Sequence, residues 1–355
     1  MNNRNTSVKI NKRLIGIDQP PFIIAEMSGN HNQSLDRALA IVDAAAECGC
    51  DALKIQTYTA DTLTIDSRRK DFLVKDKNSL WDGYSLYELY QKAYTPWEWH
   101  KDIFKRCRQA GLICFSTPFD ETAVDFLEEL KVPAYKIASF ENAHIPLLKK
   151  VAKTGKPIIL STGMIPYDDL KYSVRVLREN GAKDIILLKC TSSYPSIPKE
   201  AHLMTIPDMR KKFKCVIGLS DHTSGTGVAI ASIALGARVI EKHFTLARSD
   251  GGVDAAFSLE PLEMKELIVS AQKAFCALGQ IQYGPTRHEK SSLRFRRSIY
   301  AVQDIQAGEQ FTKENISIIR PGYGLEPKHF YAILGCKALV HIKRGTAITT
   351  KQVHL

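Results

Sequence analysis

The sequence predicts a (β/α)8 barrel followed by a small β-rich domain, and three observations carry that prediction. Eight short apolar runs recur along the first 280 or so residues. Longer segments with apolar residues at three- and four-residue spacing lie between them. After the last of these segments the pattern changes to short alternating runs separated by turns. Strand–helix alternation means parallel strands joined by helical crossovers, and eight such units suit a closed barrel better than an open sheet. No GxGxxG follows the first run, so a dinucleotide-binding sheet lacks its phosphate loop.

The eight runs, in order, are FIIAE (22–26), DALKIQ (51–56), LICFS (112–116), AYKIAS (134–139), PIILS (157–161), IILLKC (185–190), CVIGLS (215–220) and RVIEKH (238–243). Segments such as LDRALAIVDAAAECG and DETAVDFLEELK supply the helices between them. The gap between the second and third runs is too long for one helix. Its excess, residues 59–100, is rich in aromatics: Trp81, Tyr84, Tyr87, Tyr90, Tyr94, Trp97 and Trp99. An insertion there falls on the C-terminal face of a barrel, where active sites are built. Within it, LYELYQKA reads as an extra helix whose aromatics pack. Residues 1–282 therefore read as the barrel, 283–293 as a Gly- and Pro-bearing polar linker, and 294–355 as the β-rich domain.

Composition narrows the functional classes. The 355 residues are 44% hydrophobic and 25% charged, which suits a globular protein with a sizeable core. No apolar run approaches a membrane span, and the first residues, MNNRNTSVKINKRLIG, show no secretory h-region, so a cytoplasmic protein is expected. The eight cysteines are scattered and form no CxxC pair, so free thiols are expected rather than a zinc site. The net charge of +11 is spread in short basic runs without a nucleic-acid module. It suits a basic surface, or the focusing of a small anion into a cleft.

In a barrel, polar residues at strand C-termini are the catalytic candidates. These are Glu26, then SGNHN (28–32); Lys54 and Gln56; Ser116 and Thr117; Lys136, Ser139 and Glu141; Ser161 and Thr162; Lys189, Thr191, Ser192 and Tyr194; Ser220, Asp221 and His222; and Glu241, Lys242 and His243. Lys54 and Lys136 interrupt apolar runs, where a charge is costly unless paired or used. Either they form buried salt bridges with Glu26 or Glu241, or they hold a phosphate or carboxylate. The hydroxyls beside them favour an anion site. His222 and His243 follow neighbouring strands. They read as two nitrogen ligands of an open divalent-metal site, with general acid–base work and plain core packing as alternatives. Asp221 and Glu241 flank them as further ligands or partners.

The ordered series IAEMSGNHNQS, DALKIQTYT, STPFD, YKIASFE, LSTGM, LKCTSSYP, GLSDHT and EKHFT resembles the sialic acid synthase family. The segment from RRSIYAVQDIQAGE to IRPGYGLEPK is similar to that family's C-terminal antifreeze-like (SAF) domain. The resemblance implies condensation of phosphoenolpyruvate with an open-chain amino sugar, release of phosphate, and a nine-carbon 2-keto acid used on bacterial surfaces and flagella. It implies Mn2+ or Mg2+ held by His222 and His243. Phosphoenolpyruvate contacts carry over to Lys54, Thr117, Lys136, Ser139, Ser161, Ser192 and Ser220. Sugar contacts carry over to Gln56, Tyr194, Asp254 and Arg320, with Glu26 handling the attacking water and Glu241 near the aldehyde. It also implies a homodimer in which the small domain is swapped across the partner's barrel mouth. LWDGYSLYELYQKAYTPWEWH and LKCTSSYP are most like the branch that takes a diacetamido-trideoxy hexose, 2,4-diacetamido-2,4,6-trideoxy-L-altrose. Ser192 stands where N-acetylneuraminate synthases typically carry Asn, a departure in the same direction.

Overall fold

The computed structural model describes residues 7–75 and 80–354. The chain divides into two compact units, Met1–Gly279 and Gln280–Leu355.

The first unit opens with an antiparallel hairpin that the sequence reading did not include, β1 (Ser7–Ile10) and β2 (Arg13–Gly16). Eight parallel strands follow: β3 (Phe22–Glu26), β4 (Ala52–Thr57), β5 (Ile113–Pro118), β6 (Tyr135–Ile137), β7 (Ile158–Ser161), β8 (Ile185–Cys190), β9 (Val216–Asp221) and β10 (Val239–His243). Each overlaps one of the eight apolar runs. They close in chain order, with β10 pairing β3, into the expected barrel.

Strand alternation sorts the side chains into two shells. Ile23, Ala25, Leu53, Ile55, Ile158 and Leu160 face outward into the layer shared with the helices. The inward columns change character along their length. Phe22 and Ile24 precede Glu26; Ala52 precedes Lys54 and Gln56; Phe115 precedes Thr117; Ala134 precedes Lys136; Ile159 precedes Ser161; and Val239 precedes Glu241 and His243. The apolar lower members pack together in one inner cluster. Val8, Ile10 and Ile15 of the hairpin join that cluster, so the hairpin seals the N-terminal end of the barrel. What remains open is the end lined by charged and hydroxyl groups. Gly218, in the inward column of β9, makes the inner packing possible. A Cβ there would lie 2.3 Å from Val239 O and 2.6 Å from Leu188 Cδ2.

The insertion after β4 carries the expected helix, Leu86–Ala93, which starts on a capping box between Ser85 and Glu88. Residues 76–79 of the insertion lie outside the described residues. Among the described residues no helix is long and apolar enough to cross a membrane. All eight cysteines are free.

The second unit has its own core of Ile299, Ala301, Ile305, Phe311, Ile316, Ile333, Ala338, Ile342, Ile348 and Val353. Strands β11 (Ser298–Ala301) and β12 (Ile316–Ile319) pair antiparallel within it. The expected linker, 283–293, ends inside an exposed 3-10 turn, Lys290–Phe295.

Candidate active site

The tops of the inward columns meet because register sets them side by side. Glu26 pairs with Lys54 on one side and with His243 on the other, Glu241 lies across from Ser220, and Gln56 from Thr117. The result is a buried ring of charge at the open end of the barrel.

The salt-bridge reading of the strand lysines is met at Lys54, which pairs with Glu26. Lys54 Nζ lies 2.7 Å from Glu26 Oε2 and 3.8 Å from Glu241 Oε1, and it donates to Thr117 Oγ1 at 3.1 Å. Burial opposes its charge, but Glu241 and Glu26 together lift its pKa above the ordinary lysine value. Among the described residues Lys136 has no carboxylate as close as 2.7 Å. Its Nζ donates to Ser161 Oγ at 2.7 Å and stands 3.6 Å from Glu241 Oε1. Burial lowers its pKa, with Glu241 offsetting part of the effect. An incoming anion would restore what burial removes. Burial also lifts the Glu26 carboxyl, while on Glu241 burial is outweighed by Lys136, Lys54 and His222, which hold it low.

Beside Lys136 lies a pocket of hydroxyls. Ser139 Oγ accepts from Gly163 N at 3.2 Å, and Asn142 holds the turn by donating to Gly163 O at 2.9 Å. A Cβ at Gly163 would lie 2.2 Å from Ser192 Oγ and 2.6 Å from Ser139 Oγ. Gly163 thus leaves open the space between two of the expected phosphate contacts. Gly163→Ala is expected to raise KM for the anionic substrate by about 10- to 100-fold, since displaced contacts misplace the reacting group. Steady-state kinetics at saturating co-substrate checks this, and an unchanged KM would mean that the space holds nothing.

The histidines converge as the spacing implied. Their ring centroids are 5.3 Å apart. His222 Nδ1 donates to Thr191 O at 2.9 Å, which leaves Nε2 as the lone-pair nitrogen. Among the described residues His243 Nδ1 is buried without a hydrogen-bond partner, 3.7 Å from Asp254 Oδ2. Burial first, then His222 and the nearby lysines, keep His243 well below the ordinary imidazole range and therefore neutral. Glu241 Oε2 is also buried without a hydrogen-bond partner among the described residues. No ready cluster of three His, Cys, Asp or Glu ligands occurs among the described residues. Two imidazoles, one of them neutral and with a vacant nitrogen, beside an unsatisfied carboxylate oxygen, fit a divalent cation that takes its remaining ligands from water and substrate.

The residues expected to meet a sugar also come together in part. Gln56 Nε2 donates to Glu26 Oε1 and to Ser28 Oγ, both at 3.0 Å, and Ser28 Oγ donates to Asp254. Tyr194 packs on His222 with centroids 4.4 Å apart and on Phe257 at 5.3 Å. Arg320 is exposed in the second unit, beside a cis bond to Pro321.

Asp221 requires correction. It does not flank the metal candidates as a ligand. It is one residue out of phase with Ser220, so it points outward, where its carboxylate accepts from Thr223 N and Lys242 Nζ, both at 3.0 Å. Lys242 is outward for the same reason. Ser28 lies in the SGNHN stretch that the sequence offered, whereas Cys190 and Phe257 were not singled out. Ser28 orients Asp254. Cys190, inward on β8, contacts His222 and Ser192; burial raises its thiol, but His222 brings it down to about 6. Phe257 sits on a 3-10 turn after β10, 4.9 Å from His243 by ring centroid. Glu141, a candidate left out of the substrate contacts, is a carboxyl raised to about 7 by burial, with Oε2 unpartnered among the described residues.

A barrel sealed at one end, with buried lysines, hydroxyls and two imidazoles gathered at the other, has the layout of a barrel enzyme. Residues 41–283 match the NeuB family and residues 296–354 match the SAF domain, and the chain belongs to the NeuB family. It is 43% identical to the pseudaminic acid synthase of Campylobacter jejuni, over 93% of this chain and 96% of that one. It is 41% identical to the pseudaminic acid synthase of Helicobacter pylori, over 94% and 98%. Among solved structures, the N-acetylneuraminic acid synthetase of Leptospira borgpetersenii superposes with a TM-score of 0.73 at 29% identity, over 82% of this chain and 96% of that one.

Proposed function

We propose that this protein condenses phosphoenolpyruvate with 2,4-diacetamido-2,4,6-trideoxy-β-L-altrose and water to give pseudaminic acid and inorganic phosphate. The observation that carries the reading is the meeting of two buried lysines and four hydroxyls with the imidazoles of His222 and His243 in one closed-bottom cavity. Relatives at 41–43% identity bearing that activity support the choice of sugar.

The residues divide the work. Lys136, Lys54, Thr117, Ser139, Ser161 and Ser192 hold the phosphate, and Ser220 meets the carboxylate. Gln56, Tyr194 and Asp254 orient the sugar with its aldehyde toward His222 and His243. Those two imidazoles would hold a divalent cation, Mn2+ or Mg2+, which when bound would supply Lewis-acid charge for activating an aldehyde. A carbon–carbon bond forms from C3 of phosphoenolpyruvate to C1 of the sugar, leaving positive character at C2. Glu26, whose carboxyl burial lifts above the ordinary range, takes a proton from the water that adds there. The C2–O bond to phosphate then breaks as the new C2 hydroxyl gives up its proton to the phosphate and becomes the ketone. Lys136 and Lys54 hold the departing anion, and the proton taken up by Glu26 balances the sugar alkoxide, which ends as a hydroxyl.

The free cysteines suit the reducing cytoplasm. A homodimer with swapped small domains suits the apolar rim of the mouth. Phe140, Met164, Ile197 and Met204, on the segments after β6, β7 and β8, are 64%, 61%, 54% and 70% exposed. Light scattering at the mass of one chain would remove the dimer.

The deciding assay is phosphate release from phosphoenolpyruvate with the altrose sugar, N-acetylmannosamine and the diacetamido sugar of legionaminic acid synthesis, each with Mn2+ and with EDTA. Metal-dependent release with the altrose sugar alone is expected. Release with one of the others alone makes this a neuraminate or legionaminate synthase instead.

A further inference from the structure

We infer that Trp81 is a specificity-determining residue that selects a sugar whose distal end is a methyl group rather than a hydroxymethyl. The inference rests on the reaction proposed above and extends it to the part of the sugar farthest from the aldehyde.

The rings form a path leading outward from the imidazole pair. Tyr194 lies 4.4 Å from His222 by centroid, and Trp81 lies 5.9 Å beyond Tyr194. Phe257 backs the start of this path, 5.3 Å from Tyr194 and 4.9 Å from His243. A linear amino sugar with its aldehyde at the imidazoles extends along these rings. Its polar atoms have candidate partners in Gln56, Ser28 and Asp254, which form one hydrogen-bonded chain.

Trp81 is held in place rather than laid loosely on the surface. Its indole Nε1 donates to Val253 O at 2.9 Å. Val253 directly precedes Asp254, so the bond ties the aromatic insertion to the loop that carries a sugar contact. With its N–H so engaged, the ring turns carbon toward Tyr194. Such a surface accepts a methyl group and offers a hydroxyl no partner. An apolar wall of this kind discriminates against an added hydroxyl by about 10- to 100-fold.

The test compares wild type, Trp81→Ala and Trp81→Phe on the full chain with Mn2+ and phosphoenolpyruvate. The sugars are 2,4-diacetamido-2,4,6-trideoxy-L-altrose and its 6-hydroxy counterpart, together with N-acetylmannosamine and its 6-deoxy form. Binding of the four corresponding alditols, which cannot react, is measured by calorimetry. Wild type is expected to prefer the 6-deoxy member of a pair by about tenfold or more. Trp81→Ala is expected to bring the ratio near unity through the KM of the sugar rather than of phosphoenolpyruvate, and Trp81→Phe to retain part of it. A ratio that Trp81→Ala leaves at the wild-type value, with near-ultraviolet dichroism showing a native fold, overturns the inference. So does a wild-type enzyme or alditol complex with no 6-deoxy preference. If only the manno pair binds and reacts, the proposed sugar is wrong, yet the 6-deoxy ratio in that pair still decides the role of Trp81.

Discussion

His243→Ala is expected to lower the rate of phosphate release by about 10³-fold or more while the barrel stays folded. A cation at a developing alkoxide is worth several kcal/mol of barrier, and about 1.4 kcal/mol corresponds to each factor of ten. His243 stands at the strand end with its Nδ1 lacking a partner among the described residues, so truncation breaks no internal hydrogen bond at that atom. The variant should therefore keep its thermal midpoint and lose its affinity for Mn2+, read directly by calorimetry or electron paramagnetic resonance. Loss of rate with unchanged Mn2+ affinity would assign His243 to proton transfer instead. Full activity would remove the imidazole pair from the chemistry.

Lys54→Met should be costly in two ways that can be separated. The substitution strands Glu26 and Glu241 in a buried place, and breaking a buried pair by deleting one partner costs about 3–5 kcal/mol. Denaturant titration reads this loss. The same change removes a cation from the anion pocket, so activity should fall even where the protein is folded. The double variant Glu26→Gln, Lys54→Met relieves the stranded charge at Glu26. It is expected to recover much of the stability and none of the activity. Recovery of both would make Lys54 a purely structural residue.

The barrel was legible because parallel strands buried on both faces read as continuous apolar runs, and eight of them are hard to arrange otherwise. The site was legible because charge is expensive in such runs, so Lys54, Lys136, Glu26 and Glu241 stood out. What stayed hidden followed from phase and from backbone. Asp221 neighbours His222 in sequence, but a one-residue step in a strand reverses the side chain, and it serves Lys242 and Thr223 instead. Gly163 has no side chain to notice, and only its surroundings show that a methyl group would collide with Ser192 and Ser139. The hairpin Ser7–Gly16 was missed because two four-residue strands among polar neighbours carry little pattern. Their worth lies in three side chains that reach the barrel floor. Cys190 read as one more buried thiol until β8 turned it toward His222.

The change along each inward column from hydrocarbon to charge has a consequence for how such a protein diversifies. Solidity resides in the lower rows and the sealed floor. Trp81, the residue proposed to choose the sugar, lies on one of the connections beyond the strands. Substitutions in those connections leave the lower rows undisturbed. A lineage can therefore retool its substrate repeatedly without having to rediscover how to fold.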